Sequence, residues 1–160
     1  MINTTENLNV LLMESAKEIF ETMIFMDLGE ATEQDSEIDG WALLGSITFK
    51  GDVEGCLSIC CCSECAKTIT MNMLGLDSIE DVSEEDTCDA IGEVTNMIMG
   101  CVKRQLTDDQ GKSVEISIPT VVNGRQLGNN LGEGIERVST KVCIEDKYIA
   151  ELSLLYKSKS

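Results

Sequence analysis

Histidine is absent from this 160-residue sequence, which removes the side chain most often used as a general base near neutral pH. Basic residues are scarce. Twelve Lys and Arg stand against 29 Asp and Glu, a formal charge of -17, so neither nucleic acid nor an anionic membrane surface is an expected partner. No apolar run approaches the roughly 20 residues that a membrane helix needs. Met1 to Val10 carries no positive charge ahead of its apolar residues, so no secretory signal is expected and the cytoplasm is the expected location. There is no C-x5-R loop for a cysteine phosphatase and no G-x-G-x-x-G. Gly111-Lys112-Ser113 has the tail of a P-loop, but Leu106 stands where its first glycine belongs, so no self-contained nucleotide site is expected.

What is present begins with a hydrophobic fraction of 42%, enough for one packed domain spanning 1–160 that buries about 70% of its unfolded surface. The acidic residues spread through 27–39, 77–89 and 133–146 rather than forming one tail, which reads as a solvated surface. Eight cysteines are expected to stay reduced in an intracellular chain. Cys60, Cys61, Cys62 and Cys65 cluster, and Cys62-x-x-Cys65 is half of a zinc or redox pattern whose second half is missing. Cys56, Cys60 and Cys62 share one parity along a strand-like stretch, as small buried residues do. Structural packing is therefore favoured over a metal or redox sensor.

Leu8, Leu11, Leu12, Ala16, Ile19, Phe20 and Met23 recur at helical spacing and predict a helix over Glu6 to Met26. Leu28 to Asp39 reads as an acidic loop. Trp41 to Phe49 and Val53 to Cys62 read as a hairpin through Lys50-Gly51-Asp52. Ser63 is the expected N-cap of a short helix to about Met73, ended by Gly75. Ser83, with Asp86 three residues on, opens a long helix to about Leu106. Val114 to Val122 is strand-like but broken by Pro119, the single proline. Asn123 to Gly134 reads as a long loop, with Gly128 to Gly134 a strand connection. Arg137 to Glu145 and Tyr148 to Tyr156 are two last strands around Asp146-Lys147. The fold class expected is α/β in the α+β sense: a mainly antiparallel sheet with about three helices.

The long helix is the informative element. At about 100° per residue, Asp89, Glu93, Asn96, Gly100 and Lys103 fall within an arc of roughly 80°. Ile91, Val94, Ile98, Cys101 and Val102 fall opposite and are the expected buried face. A solvated face is the plain reading of such an arc. Against it, Asn is a poor interior helix residue, and Gly92 and Gly100 each cost about 1 kcal/mol relative to Ala. Gly100 lies on the polar arc, where a missing side chain lets another molecule approach the backbone. Met97 and Met99 flank the arc as an expected adaptable apolar rim.

Glu93-x-x-Asn96-x-x-x-Gly100, with Asp89 four residues upstream, resembles the active-site helix of the CheC/CheX/FliY phosphatase family. Ile91 to Ile98 follows the family pattern closely. Ala16 to Met23 resembles the first helix of its CheX members, and Ile116 to Gly124 resembles the strand after their active helix. A second ExxN, Glu6-Asn7-Leu8-Asn9, lies at the start of the chain and does not match the family's other helix. One usable copy in a chain this short points to the CheX branch.

The resemblance implies a CheC-like fold and a chemotaxis phosphatase that hydrolyses the aspartyl phosphate of a CheY-like response regulator. It implies that Asn96 orients the attacking water and that Glu93 docks the regulator's lysine. Asp89, Met97, Gly100 and Lys103 are assigned to partner contact. The chain would need no cofactor of its own, because the regulator supplies magnesium, and it would form a homodimer. A non-catalytic receiver-binding module of the same fold is the competing reading. Retention of both Glu93 and Asn96 argues against it.

Overall fold

The computed structural model describes residues 4–31, 41–124 and 135–158. Helix α1 (Thr4–Ile19) forms where the apolar spacing predicts it, with Leu8, Leu11, Leu12, Ala16 and Ile19 buried. It starts two residues earlier than expected, and its last turn widens into a π-helical turn, Phe20–Ile24. Phe25, at φ 62°, then donates its N–H to the Phe20 carbonyl and stops the helix. The expected extension to Met26 is therefore not formed.

Strand β1 (Leu28–Glu30) occupies part of the stretch read as a loop. Its acidic, three-residue sequence gives no alternation to read. It is held by backbone pairing to a later strand, Leu28 opposite Ile144. Residues 32–39 of that predicted loop, with Gly40 after it, lie outside the described residues. Strands β2 (Ala42–Gly51) and β3 (Val53–Cys62) form the expected hairpin, paired from Ala42 and Cys62 to Phe49 and Gly55.

Helix α2 (Ser63–Leu74) is capped by Cys62 rather than Ser63: the Cys62 sulfur accepts the Cys65 N–H at 3.4 Å. Gly75, at φ 68°, ends it as expected. A 3-10 turn, Ile79–Asp81, leads to helix α3 (Glu84–Gln110). Ser83 caps α3 by accepting from the Asp86 N–H at 3.0 Å. The helix runs four residues past the expected Leu106. Gly111, at φ 63°, is the first position that can take the left-handed cap, and its N–H reaches the Leu106 and Thr107 carbonyls.

Pro119 splits the next strand-like stretch into β4 (Val114–Ile116) and β5 (Thr120–Gly124). β5 takes in Asn123 and Gly124 from the predicted loop, and residues 125–134, Gly128 to Gly134 among them, lie outside the described residues. Strands β6 (Glu136–Ile144) and β7 (Tyr148–Ser158) close the fold around a turn in which Glu145 and Asp146 both have positive φ.

The strand order is β1-β6-β7-β3-β2, with β4 and β5 both pairing with β2, and every pairing is antiparallel. Leu43, Ile47 and Phe49 of β2 and Leu57, Ile59 and Cys61 of β3 share one face of the pleat and join the core with α1 and α3. The expected antiparallel sheet with three α-helices is the observed architecture. Among the described residues no helix is long and apolar enough to cross a membrane.

One core position carries a removable penalty. Ser15 is completely buried in α1, and its hydroxyl has no hydrogen-bond partner among the described residues. Ser15→Ala is expected to stabilise the protein by about 1 kcal/mol, because it removes an unmet polar group and raises helix propensity. A thermal scan should show the midpoint rising by about 2–4 °C; a fall would mean that the hydroxyl has a role in the fold.

Candidate active site

Helix α3 is seated on two sides. Ile91, Val94, Ile98 and Val102 are fully buried, as the helical pattern predicts, and Cys101 is nearly so. Beneath them Gly45 of β2 lets the helix come close: a Cβ there would collide with the Thr95 hydroxyl and stand 3.0 Å from Ile91 Cγ2. Thr95 tolerates complete burial because its hydroxyl donates to the Ile91 carbonyl at 2.7 Å. On the flank, a Cβ on Gly92 would lie 3.5 Å from Val121 Cγ2 and 3.9 Å from Pro119 Cγ. The sequence signal for Gly45, a lone glycine inside an apolar strand, marks close approach of another element.

What remains free is the predicted arc. Asp89, Glu93 and Gly100 are exposed, while Asn96, Met97 and Lys103 are half-buried along its margin. Met99, expected on the rim, is instead fully buried. α3 is contacted by β2, β5, α1 and α2, so its buried arc is wider than that of a helix packed against a single element. Met97 packs partly against the core, which leaves one methionine rather than two at the edge.

Glu93 and Asn96 lie one turn apart, about 4.5 Å along the axis. Among the described residues, neither side chain has a hydrogen bond or ion pair. Both are presented on a helix whose other sides cannot shift without disturbing the core. A Cβ on Gly100 would meet nothing within 4 Å, so that position is a bare notch in the same face. The face offers a carboxylate for a cation, an amide that can accept and donate, and open backbone beside them. It offers no free nucleophile: the Thr95 hydroxyl is buried and bonded, and the Cys101 thiol donates to Glu18 at 3.4 Å, with burial pushing its pKa up.

The cysteine cluster lies elsewhere. Its deepest members are Cys61 and Cys65, both fully buried, whereas Cys60 and Cys62 of the expected parity are only half-buried. Hydrogen bonding to Cys65 and burial hold Cys61 well above the usual thiol range. Burial, with Cys61, Glu151 and Cys62 adding, pushes Cys60 up to about 11, and burial raises Cys56 and Cys62. These thiols are therefore poor thiolate sources at neutral pH. Among the described residues no three His, Cys, Asp or Glu side chains converge as a metal site.

The raised values have a consequence for stability. Below the unfolded thiol pKa near 9 both states keep the proton and nothing is lost. Above it the unfolded chain ionises while folded Cys60 resists up to about 11, so stability falls as pH rises through that window. Denaturation midpoints measured from pH 8 to 11 should decline, and Cys60→Ser should flatten the decline. An unchanged slope in Cys60→Ser would contradict the assignment.

Residues 43–142 match the family model of "Chemotaxis phosphatase CheX". The CheY-P phosphatase CheX of Thermotoga maritima is 32% identical over 113 residues, covering 71% of this chain and 72% of that protein. The fold is shared with the chemotaxis protein CheX of Vibrio vulnificus: TM-score 0.77, 24% identity, 98% of this chain and 100% of that one. It is shared as well with the CheX of a Borrelia burgdorferi CheX-CheY-BeF3-Mg complex: TM-score 0.71, 20% identity, covering 93% and 97%. The matched span contains the hairpin, α2, all of α3 and most of β6, and so includes the whole Glu93–Asn96 face. The chain belongs to the CheX chemotaxis phosphatase family.

Proposed function

We propose that this chain hydrolyses the aspartyl phosphate of a CheY-like response regulator, with the exposed face of α3 as its working surface. The observation that supports this most is the pairing of Glu93 and Asn96: two polar side chains without internal partners, one turn apart on a firmly seated helix. The helix fixes the spacing of the two side chains and leaves both available to a partner.

The reaction asks little of the phosphatase. A water oxygen attacks phosphorus in line, the bond to the receiver's carboxylate breaks with the electron pair staying on that carboxylate, and the water's protons end on phosphate and solvent. Magnesium on the receiver would supply charge neutralisation at the phosphoryl oxygens, so no residue of this chain need hold it. Asn96 accepts a hydrogen bond from the water and aims it. An amide is too weak a base to take the proton, so its contribution is position. Glu93 meets the receiver's lysine and fixes how the two proteins dock. Asp89, Met97, Gly100 and Lys103 border the contact, spanning about 21 Å of helix. No step needs a nucleophile from this chain, in keeping with a face that lacks one.

The same family likeness supports action in the cytoplasm as one domain over 1–160, and a homodimer with one α3 face per subunit. The Borrelia burgdorferi complex contains CheX and CheY together with beryllium trifluoride and magnesium. Adding a receiver loaded with the same pair should protect α3 amides around Glu93 to Gly100 from hydrogen exchange. Protection confined to other elements would sink the assignment.

Gly100 separates stability from function. Gly100→Leu fills open space on a helix and should stabilise the fold by about 0.5–1 kcal/mol. The same side chain would hold the receiver off the helix, so kcat/KM should drop on the order of tenfold, a loss of about 1.4 kcal/mol. Unchanged kcat/KM would place the receiver elsewhere.

A further inference from the structure

Beside the α3 face stands an apolar side chain that the phosphatase mechanism does not use. Ile118 is 87% exposed, the most exposed large hydrophobic side chain among the described residues. It is not on a loose loop. The preceding Ser117 donates its N–H to the Thr48 carbonyl at 2.9 Å. Its hydroxyl accepts the Thr48 N–H at 3.1 Å and donates to the Ile118 carbonyl at 3.2 Å. The following Pro119 has a fixed φ, and its ring Cγ would stand 3.9 Å from a Cβ on Gly92, the residue immediately before Glu93 on α3. Pairing with β2 resumes at Thr120, opposite Ser46.

Ile118 is thus pinned on both sides, and its β-branched side chain has few rotamers to lose on contact. Gly92 and Asn96 are about 6 Å apart along the helix, which puts the Ile118 backbone within about 15 Å of Asn96.

We infer that Ile118 is a docking residue for the phosphorylated receiver, seating in an apolar spot on the receiver's surface beside its phosphorylation site. The occupant follows from continuity with the α3 face: a rigid apolar anchor at the margin of a charged contact supplies affinity, while Glu93 and Asn96 supply orientation and chemistry. The inference rests on the reading of α3 as the receiver-binding face, and it assigns to β4–β5 a part in choosing the partner.

The test measures KM and kcat for phosphate release from a phosphorylated receiver, together with the Kd for the receiver loaded with magnesium and beryllium trifluoride. Ile118→Ala should raise KM and Kd about tenfold and leave kcat within about twofold; Ile118→Asp should raise them further. Exposure of this degree means that both variants should melt with the wild type, so loss of fold is separately visible. Phe25→Asn changes another exposed side chain, at the opposite edge of the sheet beside β1, and should bind and turn over normally. Wild-type KM and Kd in both Ile118 variants, with the wild-type protein active, overturn the inference and leave the α3 reading standing. A fall in kcat alone overturns it too, as does altered self-association with unchanged receiver affinity. A wild-type protein that neither binds nor dephosphorylates any receiver removes the α3 reading and this inference with it.

Discussion

Asn96→Ala should lose on the order of 100-fold in turnover of a phosphorylated receiver while still binding it. The size follows from the role. Asn96 supplies neither charge nor a proton acceptor, so its removal leaves the receiver's own magnesium-assisted hydrolysis and takes away only the aimed water. Side effects on the fold are small and of opposite sign. Asn96 is half-buried without an internal partner, and alanine is the better helix former by about 0.5 kcal/mol. The variant should therefore melt slightly higher than the wild type while being nearly inactive, a combination that damage to the core cannot produce. Glu93→Ala should differ by raising KM as well as lowering kcat, because the carboxylate docks the partner. Equal kcat in Asn96→Ala and wild type would remove the water-orienting role.

The second large effect lies beneath the site rather than on it. Gly45→Val puts three carbon atoms where Thr95 and Ile91 already sit, so Thr95 must give up its place or α3 must lift from β2. Overpacking of this kind costs about 1–3 kcal/mol, or roughly 2–12 °C in the midpoint for a domain of this size. Activity should fall further than stability does, since Glu93 and Asn96 move with the helix. Midpoint and kcat/KM measured on the same preparation check both; a variant with normal values for each would mean that α3 is not held by this contact.

How much of this was legible beforehand depends on what each feature uses to hold itself in place. Helix α3 could be read because its core positions repeat every three to four residues and its ends carry Ser83 and a glycine. Even so, Gly111 rather than the expected Leu106 marked the stop, because Thr107 to Gln110 are poor signals in either direction. The polar arc from Asp89 to Lys103 emerged on the outer side of α3, although Asn96 and Lys103 are half-buried within it. Its margin did not. Met99 lies about 80° from the arc's centre, where burial depends on which neighbours flank the helix, and a single helix's periodicity holds no information about β5 or α2. Strand β1 was missed because backbone pairing to β6 leaves no alternation in three residues. The cap on α2 moved to Cys62 because sulfur is an uncommon acceptor there, and serine at the next position is the stronger pattern. Ile118 lies inside the strand-like stretch Val114 to Val122, where nothing in the pattern marks it as exposed. Its exposure depends on Pro119 turning toward Gly92, a contact between residues 27 apart in sequence that only the fold reveals.

The central claim, that this chain is a phosphatase and not merely a binder, is tested most directly by multiple-turnover phosphate release. Wild-type protein would be mixed with a twentyfold excess of a phosphorylated CheY-like receiver, and inorganic phosphate followed against the receiver alone. The account predicts many phosphates released per chain, at a rate well above the receiver's own decay. Release at the receiver's own rate, with the complex forming normally, would contradict it and make the α3 face a binding surface only.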